Sequence, residues 1–85
     1  AVTRQQLVAL LYRYAQMMGY DNGAREALTS FPDAGTVSGY AQEPMQWSVA
    51  NGIVAGTSAG TLNPTGTATR AQFAVILYRF WDQVG

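Results

Sequence analysis

The sequence predicts an all-α fold, a helix–loop–helix repeat with long connecting loops and minimal β content. Three observations predict it. A capped amphipathic segment opens the chain, a near-copy closes it, and connectors rich in glycine and proline set both apart from a shorter helical stretch.

The opening segment runs from Thr3 through Arg4, Gln5, Gln6, Leu7, Val8, Ala9, Leu10, Leu11, Tyr12, Arg13 and Tyr14 to Gly19. At an offset of 66 residues (69 − 3), Thr3, Arg4, Gln6, Leu11, Tyr12, Arg13 and Gly19 recur as Thr69, Arg70, Gln72, Leu77, Tyr78, Arg79 and Gly85. A copy at fixed spacing is the mark of a repeat architecture. In each copy a threonine followed three residues later by glutamine spells a capping box, Thr3 with Gln6 and Thr69 with Gln72. Behind the caps, Leu7, Leu10, Leu11, Tyr14, Ala15 and Met18 fall on one helical stripe. Phe73, Ile76, Leu77, Phe80, Trp81 and Val84 are the same stripe in the second copy. Gly19 suits a left-handed stop. Helices are therefore expected over 4–18 and 70–84.

Both helices carry an arginine at their first position, Arg4 and Arg70. A cation beside the positive end of the helix dipole costs a few tenths of a kcal/mol. A solvated, screened side chain is the ordinary reading of one such arginine. Its repetition favours an anion site made of free N–H groups, the dipole and a guanidinium.

Between the copies the chain reads as follows. Asp21-Asn22-Gly23 is a turn signal, with a faint likeness to a calcium loop that lacks the further acidic ligands. Ala24 to Leu28 has room for one helical turn. Ser30-Phe31-Pro32-Asp33 reads as an extended segment, since Pro32 pushes Phe31 out of the α region. A shorter helix is expected over 44–51, with Pro44 at its first position, Ser38 as an alternative earlier cap and Gly52 as its stop. Trp47 among apolar neighbours reads as core. Ile53-Val54 reads as a minimal strand, and Gly56 to Gly60 and Asn63-Pro64-Thr65-Gly66 as turns. The glycines form no phosphate loop, since no Gly-Lys-Ser/Thr follows.

Composition narrows the function. The 85 residues carry five arginines, no lysine and five acids, for a formal net charge of zero. That gives nucleic-acid binding little electrostatic support. Without histidine or cysteine there is no imidazole or thiol chemistry, no disulfide and no expected zinc site. No close carboxylate pair suggests glycoside chemistry. No enzymatic activity, cofactor or metal is expected, and no apolar run is long enough to span a membrane. The absence of cysteine fits an oxidising exterior. The abrupt start on a helix cap suggests a piece of a longer chain.

The order Phe31-x-Asp33, Tyr40-Ala41, Trp47-x-x-Ala50-x-Gly52-Ile53-Val54-x-Gly56, Gly60-Thr61-Leu62-x-Pro64 and Thr69-Arg70-Ala71-Gln72-Phe73-Ala74 resembles an S-layer homology repeat. The resemblance divides the chain into the closing helix of a preceding repeat at 1–19, a linker over 20–36 and one repeat over 28–85. It implies repeats packed in threes that hold bacterial surface proteins, without covalent bonds, to an anionic secondary cell-wall polysaccharide that often carries a pyruvate ketal. It implies an extracellular location at the cell wall. It assigns Arg70 and Arg4 to the carboxylate, Asp33 and Tyr40 to sugar contacts, and Gly66 and Thr67 to the same groove. Asp33 has the ordinary alternative of bracing the turn after Pro32.

This sequence departs from the family at Gln72 and Gln6, where the motif has glutamate, and at Tyr40, where tryptophan is usual. Losing the glutamate makes the anion site more positive. The implied partners are the polysaccharide, neighbouring repeats and, for the isolated chain, further copies of itself. The competing function is a structural assembly module of the cell surface that ignores the glycan.

Overall fold

The computed structural model describes residues 2–20, 23–54 and 61–84. Its helices are α1 (Arg4–Met17), α2 (Gln42–Ala50) and α3 (Arg70–Gln83). Single turns of 3-10 helix occur at Leu28–Ser30, Ala34–Thr36 and Gly39–Ala41. No strand forms among the described residues, and an isolated antiparallel bridge pairs Thr3 with Thr67. The fold is all-α. None of the described helices is long and apolar enough to cross a membrane.

Both capping boxes form. The Thr3 N–H donates to Gln6 Oε1 at 2.9 Å, and the Gln6 N–H to Thr3 Oγ1 at 3.2 Å. Thr69 and Gln72 repeat this at 3.0 and 3.1 Å. At the far end of α1, Gly19 turns left-handed with φ of 74°. The Tyr20 N–H then reaches back to Ala15 O and the Gly19 N–H to Gln16 O. That pair of bonds closes the helix, and the Tyr20 ring packs edge-on to Tyr14.

α2 begins earlier than expected. Its first turn is Gln42, Glu43 and Pro44, preceded by the 3-10 turn at Gly39–Ala41. Pro44 is third in the helix rather than first. The N–H it lacks would have had no partner inside the helix at that position either, so it costs the helix no bond. Ser38 precedes the 3-10 turn but makes no side-chain cap. Gly52, with φ of 71°, ends the helix as expected: it and Ile53 donate back to Val49 O and Ser48 O.

Trp47, Met45 and Ala41 are fully buried against α1, as the core reading of Trp47 expects. Tyr12 and Phe80 meet the Trp47 ring edge-on, with centroids 5.4 and 6.1 Å away. Leu7, Val8, Leu11 and Ala15 are the buried apolar side of α1. This is a correction to the expected stripe, since Val8 replaces Leu10, which is 56% exposed, and Met18 is also exposed. Apolar residues cover more than one side of α1, and the position of α2 decides which side is used. In α3 only Ile76 and Phe80 are buried, while Phe73 and Trp81 are exposed.

In the connectors, Phe31 is extended as expected, but the rest of 30–33 is not: turns close on either side of it, with the Phe31 N–H donating to Leu28 O and the Ala34 N–H to Phe31 O. The helical turn expected over 24–28 appears instead at Leu28–Ser30. Ile53 and Val54 are buried but form no strand. Asn63 is left-handed, and the Gly66 N–H donates to Asn63 O to close the 63–66 turn. The readings at Asp21-Asn22 and over 56–60 lie outside the described residues.

Candidate functional site

Arg4 is packed into the fold at 8% exposure, and Arg70 stands in solvent. The start of α1 is held by the 63–67 segment: the Arg4 N–H donates to Gly66 O at 3.0 Å and the Gln5 N–H to Pro64 O at 2.9 Å. The next two N–H groups go to Thr3, through its side chain and its carbonyl. All four leading N–H groups are therefore satisfied, so the expected free donors do not exist at this end. What remains is the Arg4 guanidinium. Its Nε is enclosed and has no partner among the described residues, and its two terminal nitrogens, also unbonded, are the part left at the surface.

At the second copy the balance is reversed. The N–H groups of Arg70 and Ala71 have no partner among the described residues, and the Arg70 side chain is exposed. Arg70 borders an open groove of about 420 Å³ with Val2, Thr69, Phe73 and Leu77.

Asp33 accepts from the Leu62 N–H at 2.9 Å and the Asn63 N–H at 2.8 Å. The Leu62 amide, together with those of Asn63 and Asp33 itself, holds its carboxyl below the ordinary value against the opposing effect of partial burial. Asp33 thus fixes the segment that fixes α1, and the structure gathers Asp33, Gly66, Thr67 and Arg4 into one connected region. A Cβ at Gly66 would meet the exposed Asn63 side chain, which would have to turn aside. Tyr40 stands apart from both N1 arginines. It is 56% exposed and shares its grooves with Arg13.

Two polar clusters escaped the sequence reading. Gln5 clasps Ser38 from both ends of its amide: Nε2 donates to Ser38 Oγ, and Oε1 accepts the Ser38 N–H, each at 3.0 Å. The available signal was a break in the repeat, where Gln5 has Ala71 as its counterpart. Arg25 donates to the Tyr12 hydroxyl, lies 5.2 Å from that ring's centroid and faces Glu43 at 3.7 Å. Nothing in the sequence pattern joined those three.

The two helix copies bury different sides. Leu7, Val8, Leu11 and Ala15, the covered side of α1, correspond to Phe73, Ala74, Leu77 and Trp81, none of which is fully buried. Conversely Ile76, buried in α3, corresponds to exposed Leu10. In α1 the covering elements are α2, the 39–41 turn and the segment around Leu62. No second set of these follows α3 among the described residues.

Comparison with known proteins gives three findings. A family model described as the S-layer homology domain matches residues 30–74. An amylopullulanase of Thermoanaerobacterium thermosulfurigenes is 28% identical over the whole chain, which covers 5% of that protein. The surface-layer 125 kDa protein of Lysinibacillus sphaericus is 38% identical over 60 residues, 67% of this chain and 5% of that protein. The chain thus spans about one-twentieth of the length of these relatives. No solved structure gives a significant match.

Proposed function

The chain belongs to the S-layer homology domain family, and from that premise we propose that it anchors a bacterial surface protein, without covalent bonds, to an anionic secondary cell-wall polysaccharide whose acidic groups include a pyruvate ketal. Family membership and the surface-layer relative support a role at the cell surface in general. The amylopullulanase's name speaks for a whole protein of which this match is 5%, and the shared part is a binding domain rather than a catalytic one. Residues 1–19 act as the closing helix of one repeat and 28–85 as the next, with neighbouring repeats of the parent protein as partners.

The observation that carries the reading is Arg4. An enclosed guanidinium without a carboxylate is expensive for a fold to hold. Its unsatisfied nitrogens suit a planar carboxylate arriving at the surface edge. The backbone beside it is fixed: Gly66 O takes the Arg4 N–H, Thr67 bridges to Thr3, and Asp33 holds that segment in place. Arg70, with its two free N–H groups, offers the open counterpart. Tyr40 offers an aromatic face for a sugar ring.

Pull-down on purified, protein-free cell-wall polysaccharide tests the function. The chain is expected to bind, and removal of the polysaccharide's acidic groups is expected to release it. Arg70→Ala, at an exposed position, should leave the melting temperature unchanged and lower calorimetric affinity by about tenfold. A chain that ignores the glycan but gains mass with concentration would instead be an assembly module. The exposed Phe73 and Trp81 side of α3 favours that second reading.

A further inference from the structure

We infer that the outer side of α1 carries a further subsite for an acidic sugar, formed by Arg13 and Tyr40. It rests on the polysaccharide reading above and extends it to Arg13, a residue that reading does not use.

Two adjoining grooves share Ala9, Arg13 and Tyr40. The larger, about 470 Å³, is completed by Val2, Gln6 and Leu10 and has no acidic residue in its lining. That volume lies within the about 300–1,000 Å³ usual for small-ligand sites. Arg13 makes no ion pair or hydrogen bond among the described residues, so its charge is available. Glu43 lines the smaller groove but faces Arg25. Tyr40 is held on a fixed turn, because Ala41 beside it is fully buried and Ser38 before it is clasped by Gln5. An aromatic ring presented to solvent on a rigid turn, next to an unpaired guanidinium, fits a sugar that stacks its apolar face and pairs its carboxylate.

The repeat itself argues against a packing face merely left open. Val75 and Arg79, the counterparts of Ala9 and Arg13, are exposed in α3, where the adjacent Ile76 is covered. Arg13 is exposed as Arg79 is, so neither copy buries its arginine. What α1 has and α3 lacks is a Tyr40 beside it. Val2 borders both this groove and the one at Arg70, so a polyanion crossing Val2 meets both cations.

The test pairs calorimetry on the polysaccharide with amide NMR titrations using glucuronic acid and neutral glucose. Glucuronic acid is expected to shift Ala9, Leu10, Arg13 and Tyr40, and glucose to shift them less. Arg13→Gln should abolish the difference and lower polysaccharide affinity by about three- to tenfold with an unchanged melting temperature. Tyr40→Ala should weaken both sugars, and Arg70→Ala should leave the glucuronate shifts in place. If the parent binds polysaccharide and Arg13→Gln binds equally well, the subsite is wrong and the anchoring reading stands. If the parent does not bind polysaccharide at all, the anchoring reading fails and takes the subsite with it.

Discussion

Arg4 sets stability against binding at a single side chain. Its Nε is enclosed with no partner among the described residues, so the unliganded fold holds an uncompensated charge at the dipole's unfavourable end. Arg4→Met keeps the apolar stem and removes that charge. The variant should melt several degrees higher, on the order of 1 kcal/mol, and lose at least about tenfold in polysaccharide affinity. Thermal melts and calorimetry on the same samples check it. A variant that melts lower shows that the guanidinium stabilises the fold, and removes the main support for a ligand-seeking arginine.

Asp33 works in the opposite sense. Its carboxyl is held below the ordinary value, so the two N–H bonds contribute fully above about pH 4, the unfolded value. That contribution is lost as pH falls through the lower folded value. Asp33→Asn keeps one acceptor of two and should cost about 1 kcal/mol at neutral pH, the low end for a charged acceptor that is partly solvated. It should also flatten the acid limb of the stability curve, which urea melts between pH 2 and 6 would reveal. An unchanged acid limb would assign acid sensitivity to other carboxylates.

At the scale of elements, the caps of α1 and α3 and the stops of α1 and α2 were legible because they depend on residues three to five apart, whereas the start of α2 was not. Thr3 with Gln6, Thr69 with Gln72, Gly19 and Gly52 are local rules, and each formed. Which side of a helix is buried is not local. Leu10 and Trp81 lie on the apolar stripes yet stand exposed, because burial depends on whether another element reaches that side. The Gln5–Ser38 clasp, which joins residues 33 apart, was illegible for the same reason, and with it the stiffness of the turn that presents Tyr40. Within the candidate site, the arginines and Asp33 were found from motif order. Bracing was already an alternative for Asp33, but the segment it braces, and the division of the arginines into one enclosed and one open cation, came only from packing. The clasp gives a clean prediction. Gln5→Ala loses both bonds to Ser38 and should cost about 1–2 kcal/mol, with faster amide exchange at Ser38 and Ala41. Ala71→Gln, the reverse change in the other copy, should be near neutral. If both variants melt like the parent, the clasp does not hold the turn.

The whole molecule is asymmetric in a way that predicts its behaviour in solution. α3 leaves Phe73, Val75, Tyr78 and Trp81 exposed, a large apolar burden for a chain of 85 residues. On the repeat reading proposed above, the α2-like body of a following repeat would be the cover, as α2 is for α1 here. A second copy of this chain cannot supply that cover in the same way, because its own α1 already fills the slot. Nor can α3 displace that α1. The position of Trp81 corresponds to Ala15, which is fully buried, so an indole would have to enter a space sized for a methyl group. The clasp to Ser38 would also be lost, since Ala71 stands where Gln5 does. The expected alternative is pairing of copies through their α3 faces, self-complementary about a twofold axis. Sedimentation velocity should show a monomer–dimer equilibrium that shifts over a hundredfold dilution. Trp81→Glu should give a monomer at all concentrations and lower the melting temperature of the dilute protein by a few degrees, because half of the indole is covered, edge-on to Tyr14 and Phe80. Extending the chain by a following repeat should abolish dimerisation even with Trp81 intact. A parent chain that stays monomeric throughout would mean that the open face of α3 is tolerated in water, and would leave the assembly reading without its one supporting surface.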